Sequence, residues 1–300
     1  MKRVLVTGPT GFIGRHSLLS LINKGYEVHA VTLPGSAESI SDKLIWHEAD
    51  LFDRAGIATL MGRLRPTHLL HFAWFVKHGA FWTDPVNRDW IENSMQLVDA
   101  FVANGGSRLT VAGSCAEYEW NDPVCSEGAT PLRPATVYGE CKNSLREQIQ
   151  AFAGARNISW SWGRIFLLYG PYEPPARLVS SVIRSLLKGE PAKCTHGNQL
   201  RDFLYVQDVA DAFVALLDSE VTGPLNIASG HSVALKDVVG MIADMMERRD
   251  LLQLGALPAG DDPAELSADV RRLREEVGWK PAVSLEEGLR RTIAWWKEIG

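Results

Sequence analysis

Two side chains one helical turn apart carry the clearest chemical suggestion in this 300-residue chain: Tyr138 and Lys142, in Tyr138-Gly139-Glu140-Cys141-Lys142. At i and i+4 on a helix they share one face. A phenol has a reference pKa near 10, so acid–base work near neutrality asks it to fall by about 3, equivalent to about 4 kcal/mol. A neighbouring ammonium in a partly dry site supplies stabilisation of that order. Tyr-x-x-x-Lys also describes ordinary surface neighbours, so its setting in the fold decides the reading. Ser114, in Val111-Ala112-Gly113-Ser114-Cys115-Ala116-Glu117-Tyr118, ends a β-like run. Its hydroxyl can hydrogen-bond a substrate carbonyl or cap a turn.

A second feature opens the chain. The apolar run Arg3–Thr7 leads into Gly8-Pro9-Thr10-Gly11-Phe12-Ile13-Gly14-Arg15, with a helical pattern behind it. Glycines at G-x-x-G-x-x-G are spaced one residue wider than the usual dinucleotide fingerprint. Gly8 suits a tight turn, Gly11 a close approach of backbone to pyrophosphate, and Gly14 close packing of helix on strand. The helix N-terminus then offers free N–H groups to phosphate. A plain strand-to-helix turn is the alternative. Asp50, closing the third strand pattern, can accept from an adenine amino group or serve as a loop or N-cap aspartate. The second strand ends in Val31-Thr32-Leu33 with no acid before Glu38. An acid there would select NAD, whereas Arg15 can reach the 2′-phosphate of NADP, so NADP is preferred over NAD. A solvated surface Arg15 is the competing reading.

These residues need a scaffold, and the pattern supplies one. Strand-like runs at Arg3–Thr7, Glu27–Thr32, Leu44–Trp46, His68–Phe72, Leu109–Ala112 and Ser159–Ile165 alternate with helical patterns at Phe12–Lys24, Ile57–Arg63, Trp90–Ala103 and Val137–Ala153. That alternation predicts an α/β fold, a doubly wound parallel sheet of the Rossmann type. After Gly170-Pro171 helices dominate: Leu178–Leu187, Val209–Asp218, Leu235–Met246 and Leu285–Trp296, with short strands near Phe203–Val206 and Leu225–Ile227. We therefore expect a dinucleotide-binding domain over 1–170. A smaller, mostly helical substrate domain follows over 171–300, some of its segments returning to the first sheet. Substrate is expected between the two.

Composition narrows the partners. A net charge of -5 with scattered Lys and Arg argues against nucleic acid. No run of about 18 apolar residues is present to span a membrane. The four cysteines, Cys115, Cys125, Cys141 and Cys194, lack metal-type spacing. They read as reduced thiols of a cytoplasmic protein with no metal.

Taken in order, Gly8–Gly14, Asp50-Leu51, His71-Phe72-Ala73, Ser114, Tyr138/Lys142, Arg164-Ile165-Phe166, Tyr169-Gly170-Pro171, Arg201-Asp202-Phe203 and Gly278-Trp279-Lys280-Pro281 span nearly the whole chain. So arranged, the sequence resembles the extended short-chain dehydrogenase/reductase family of nucleotide-sugar epimerases, dehydratases and 4-ketoreductases. The resemblance implies that Ser114 polarises a carbonyl or hydroxyl, Tyr138 moves its proton, and Lys142 assists Tyr138 and holds ribose. It implies that Thr10, Phe12 and Ile13 join the three glycines and Arg15 around the cofactor. Asp50 and Leu51 would face adenine, and Phe72, Ala73 and Trp74 would lie along the dinucleotide. Arg201 would meet the diphosphate of a sugar nucleotide, unless it makes a structural ion pair with Asp202 or Asp208. A homodimer through Trp90–Ala103 and Val137–Ala153 is a further implication.

Two departures shape the activity expected. Dehydratases of the family carry an Asp-Glu pair after the hydroxyl residue, where this chain has Cys115-Ala116, so dehydration lacks its general acid. Leu167 stands where many relatives have asparagine. The insert Trp74–Trp82, with Lys77 and His78, can line a sugar or base pocket or pack as core. The expectation is therefore NAD(P)H-dependent reduction of a keto group on a nucleotide-activated sugar. A sugar-nucleotide epimerase with tightly held NAD is the alternative, and a non-catalytic dinucleotide sensor the remote one.

Overall fold

The structure, a computed structural model, describes residues 2–300. In chain order the first elements are β1 (Arg3–Thr7), α1 (Gly14–Asn23), β2 (Glu27–Thr32), β3 (Leu44–Glu48), α2 (Arg54–Leu64) and β4 (His68–His71). There follow α3 (Val86–Ala103), β5 (Arg108–Ser114), a 3₁₀ turn (Cys115–Glu117), β6 (Val124–Cys125), α4 (Val137–Arg156) and β7 (Ser159–Ile165). The second half holds β8 (Leu167–Tyr169), α5 (Leu178–Leu187), β9 (Ala192–Lys193), β10 (Leu200–Tyr205), α6 (Val206–Asp218) and β11 (Gly223–Ile227). It ends with β12 (Ser232–Ala234), α7 (Leu235–Met245), β13 (Leu252–Gln253), β14 (Glu265–Ala268), α8 (Arg271–Glu275) and α9 (Leu285–Ile299).

Seven strands form one parallel sheet in the order β11-β7-β5-β4-β1-β2-β3. Val4, Leu5, Val6, Leu69, Leu70, Leu109 and Val111 are all buried in it. Such two-sided burial is why these strands read as continuous apolar runs, not alternating ones. The chain reverses its winding between β1 and β4, so a crevice opens beyond the carboxyl ends of those strands. Gly8 leaves β1 there, Phe72 and Ala73 leave β4, and Ser114 ends β5. The expected doubly wound sheet is therefore present. β11, from the second half of the chain, joins its far edge against β7.

The second half carries more strand than its pattern suggested. β12-β10-β14-β6 form a second sheet, with β8 also pairing β10, and β13 pairs β9. Most of these segments are two to four residues long, too short to show a period of two. β10 starts three residues before the expected strand, which puts Arg201 on the strand. Helices α5, α7 and α9 cover this half with Val182, Ile183, Leu186, Val239, Ile242, Leu289 and Ile293.

One buried ion pair links β5 and β7 of the first sheet and, through its neighbours, the edge strand β11. Glu117, on the 3₁₀ turn after β5, accepts from Arg164 Nε of β7 at 2.7 Å, and both side chains are fully buried. Its carboxylate also accepts from Trp162 Nε1 at 2.8 Å and from the Ser114 backbone N–H at 2.8 Å. Arg164 donates on to the Tyr118 hydroxyl at 3.0 Å, and Tyr118 donates to Asn226 of β11 at 2.8 Å. A charge so enclosed is tolerated only with its partners in place. Glu117→Ala is expected to cost about 3–5 kcal/mol in urea unfolding, because it strands the Arg164 guanidinium. The double variant Glu117→Leu/Arg164→Met should recover most of that loss, and equal losses from both variants would contradict the account.

Candidate active site

Tyr138 reaches the sheet through the first turn of α4. Thr136 caps that helix, its hydroxyl accepting from the Gly139 N–H at 3.1 Å. Gly139 has no room for a side chain: a Cβ would lie 2.2 Å from the Ala116 carbonyl oxygen. The close approach brings the phenol against the end of β5. The Tyr138 N–H donates to the Trp82 carbonyl at 3.1 Å, and the Phe81 ring meets the phenol edge-on with centroids 5.0 Å apart. Trp82 lies 5.8 Å from it in a similar attitude. The aromatic insert therefore walls the phenol.

Burial dominates the electrostatics of the pair. It pushes the Tyr138 phenol above its ordinary value, and only the Ser114 side chain and Arg177 act against that. Lys142 is pushed down to about 7 by burial, with Glu117 opposing. The expected lowering of Tyr138 by Lys142 is thus not the effect that governs here. Both groups lose water, and desolvation favours the neutral form of each. Lys142 Nζ donates to the Ala112 carbonyl at 2.9 Å and sits 3.8 Å from the centroid of the Trp74 ring. Trp74 is held in turn by its Nε1 donating to Asn87 Oδ1 at 2.8 Å. A cation over an indole face is attracted by the ring's quadrupole, which keeps the ammonium in place. Asn87 also ties the insert down by donating to the Phe81 and Asp84 carbonyls, both at 2.8 Å.

Ser114 serves the turn and stays available to a ligand. Its Oγ accepts from the Ala116 N–H at 3.1 Å, closing a capping box with Glu117. An acceptor role leaves the hydroxyl proton free to be donated. Cys115 beside it is pushed up to about 12 by burial, so it stays a protonated thiol and supplies no acid–base group near neutrality.

The glycine loop has the shape a dinucleotide requires. Gly8 has φ of +69°, and a Cβ there would lie 2.9 Å from the Ala73 nitrogen. At Gly14 a Cβ would lie 2.0 Å from the Gly8 carbonyl oxygen, so α1 packs directly on the turn. At Gly11 a Cβ would meet the Gly8 carbonyl oxygen at 3.2 Å, a tight contact, and no other atom within 4 Å. Thr10, Phe12 and Ile13 lie in the same turn ahead of α1. The residues present fit a diphosphate held at a helix N-terminus.

Other expected ligand groups have mixed surroundings. Asp50 is exposed, and one of its oxygens accepts from the Phe52 N–H at 2.9 Å, a turn role that leaves the other oxygen free. Asp53, not Asp50, caps α2. Leu51 is half-buried beside it. Arg15 is not a free surface cation, because it donates to Glu38 and to the Thr10 carbonyl, each at 2.7 Å. Arg201 donates through Nη1 alone, to the Leu200 carbonyl at 2.8 Å and the Pro263 carbonyl at 2.9 Å. The structural ion pairs weighed for it are absent among the described residues. Asp202 binds Ser229 and Gly230, and Asp208 binds the Ala282 and Val283 N–H groups. Glu117 and Asn87 escaped the sequence reading, as did the pairing of Glu38 with Arg15, since each acts through a partner remote in the chain.

The match to known proteins covers the same elements. Residues 4–228 match the family model described as the NAD dependent epimerase/dehydratase family. A UDP-glucose 4-epimerase of Rhizobium leguminosarum bv. trifolii is 26% identical, covering 98% of this chain and 97% of the relative. MoeE5, solved with UDP-glucuronic acid and NAD, is 31% identical with a TM-score of 0.84, covering 99% of this chain and all of that one. A UDP-N-acetylglucosamine 4-epimerase from Methanobrevibacter ruminantium M1 has a TM-score of 0.90 at 24% identity, covering 100% of this chain and 99% of its own. No described helix is long and apolar enough to cross a membrane.

The depressed lysine yields a stability test. Between about pH 7 and 10.5 the unfolded chain binds a proton at Lys142 more readily than the folded chain does. The contribution of Lys142 to stability therefore rises with pH through that window, at up to about 1.4 kcal/mol per pH unit. Lys142→Met is expected to be more stable than the parent near pH 7, with the advantage shrinking toward pH 10 in urea titrations. An advantage constant with pH would show that the ammonium is not desolvated.

Proposed function

The chain belongs to the NAD dependent epimerase/dehydratase family, and from that membership we propose that it reduces a keto group on a nucleotide-activated sugar. The membership agrees with the resemblance its motifs bear to extended short-chain dehydrogenases. The observation that carries the reading is the placement of Tyr138, a phenol buried in the first turn of α4 against the end of β5, with Ser114 beside it and Lys142 one helical turn away. A protonated phenol is a proton donor, which is what reduction of a carbonyl requires. Cys115 and Ala116 provide no second acid, so water elimination has no support from the site.

When bound, the reduced nicotinamide supplies the hydride. Ser114 Oγ–H donates to the carbonyl oxygen and polarises it. Tyr138 Oη gives its proton to that oxygen as negative charge develops there. Lys142 stabilises the phenolate left behind and, with two donors beyond the one to Ala112, holds ribose hydroxyls. Gly8, Thr10, Gly11, Phe12, Ile13 and Gly14 would hold the diphosphate of the coenzyme. Asp50, Leu51, Phe72, Ala73 and Trp74 would line the remainder of it. Arg201, with only one nitrogen engaged, offers the rest of its fork to the diphosphate of the sugar nucleotide. Residues 171–300 furnish the substrate side, apart from β11.

The Arg15 basis for preferring NADP is opposed by the Glu38 carboxylate, and NAD is the coenzyme this site favours. Four buried free cysteines are consistent with a reducing, cytoplasmic setting. A homodimer would use α3 and α4, where a groove of about 740 Å³ includes Met95, Ala100 and Phe152. The second reading, an epimerase retaining its NAD, is favoured by the relatives named for that activity and uses the same three residues.

Purified protein mixed with NADH or NADPH and nucleotide-linked 4-keto sugars should consume the coenzyme at its nicotinamide absorbance. Tyr138→Phe should lower kcat by about 10²–10⁴-fold while leaving NADH binding unchanged. Interconversion of UDP-glucose and UDP-galactose without added reductant, and no coenzyme consumption with any keto sugar, would replace reduction by epimerisation.

A further inference from the structure

The proton chemistry leaves one charge pair beside the glycine loop unused. Arg15 is the second residue of α1. Its Nη2 lies 2.7 Å from Glu38 Oε1, and its guanidinium carbon lies 3.7 Å from the centroid of the Tyr172 ring. Its Nε is buried without an acceptor among the described residues. The arginine side chain is 14% exposed and the glutamate 38%. The arginine is therefore clamped between Thr10, Glu38 and Tyr172, while the glutamate keeps one oxygen, Oε2, outside the pair.

The position matters because of what the sheet places there. In a doubly wound sheet with this switch point, the adenosine ribose lies beside the end of the second strand and the start of the first helix. A carboxylate at that spot accepts the 2′-hydroxyl and repels a 2′-phosphate, and an arginine does the reverse. Here β2 ends at the buried Thr32, the next residue is the exposed Leu33, and neither carries a charge to attract or repel a 2′-phosphate. The acid arrives from Glu38, further along the loop between β2 and β3. That loop is tied down where the Gly35 N–H donates to Glu48 Oε1 at 2.9 Å.

We propose that the Arg15–Glu38 pair selects the coenzyme: Glu38 occupies the arginine fork and presents its free oxygen to the ribose hydroxyls of NAD. A 2′-phosphate then has to displace Glu38 from Arg15 before it can bind. Loss of the carboxylate turns the same arginine into a phosphate site. The selector is thus a compensated pair contributed by a helix and a loop, not a single acid at the strand end. It rests on the dinucleotide reading of the glycine loop.

Equilibrium binding of NADH and NADPH to the full chain, followed by nicotinamide fluorescence, tests the selector without any sugar substrate. The parent should bind NADH more tightly than NADPH. Glu38→Gln should move the ratio of the two dissociation constants toward NADPH by about tenfold or more, the size expected for one charge-assisted hydrogen bond freed for phosphate. Adding Arg15→Gln to Glu38→Gln should abolish that gain, which separates freed arginine from loop disorder. A parent preference for NADPH, or a ratio unmoved by Glu38→Gln in a protein that binds NADH, would overturn the selector and leave the dinucleotide reading intact. Failure of every variant to bind either coenzyme would overturn the dinucleotide reading and the selector together.

Discussion

A single buried carboxylate holds the catalytic end of the sheet together. Glu117 collects the Ser114 N–H, the Trp162 indole and the Arg164 guanidinium in a space closed to water. In that low-dielectric setting each hydrogen bond is strong, and each missing one costly, so the group behaves as a unit. Through Arg164, Tyr118 and Asn226 the same unit reaches β11, the strand contributed by the second half of the chain. The position of Ser114 is therefore tied to the far edge of the sheet, and so is the hydroxyl that donates to the carbonyl oxygen in the mechanism proposed.

The dryness that makes Glu117 expensive to disturb also sets the chemistry of its neighbours. Tyr138 and Lys142 are both deprived of water, and both are drawn toward their neutral forms. An ammonium held near the point of deprotonation answers strongly to charge arriving nearby. A phenolate forming at Tyr138, one helical turn away, is such a charge. The Trp74 face and the Ala112 carbonyl hold Lys142 in readiness while adding no negative charge of their own. Asn87 extends this support to the aromatic insert, so the wall beside the phenol and the seat of the ammonium are braced by one side chain.

The coenzyme side follows a different physical rule. Around Gly8 and Gly14 the backbone itself makes the site, and space is the deciding quantity: atoms 2.0–2.9 Å from a would-be Cβ leave no choice of residue. Around Arg15 and Glu38 charge is the deciding quantity, the arginine being largely enclosed and paired with the glutamate at 2.7 Å.

Local pattern alone determined a good deal. The apolar strand runs, the helix periods and the stop glycines identified the parallel sheet, because strands buried on both faces and helices buried on one leave distinct periods in sequence. The turn Gly8–Gly14 and the Tyr138/Lys142 pair were legible because the distances involved are fixed by helix and turn geometry over a few residues. What tertiary structure alone decided involves partners far apart in the chain: Glu117 with Arg164, Trp74 with Lys142, Arg15 with Glu38, and Arg201 released from Asp202 and Asp208. The short strands of the second half belong to the same class, since two to four residues form a strand only when another strand lies beside them. Desolvation completes the list. No spacing of residues records how much water a folded chain removes, and it is that removal which raises the phenol above its ordinary range and weakens the proton's hold on the lysine.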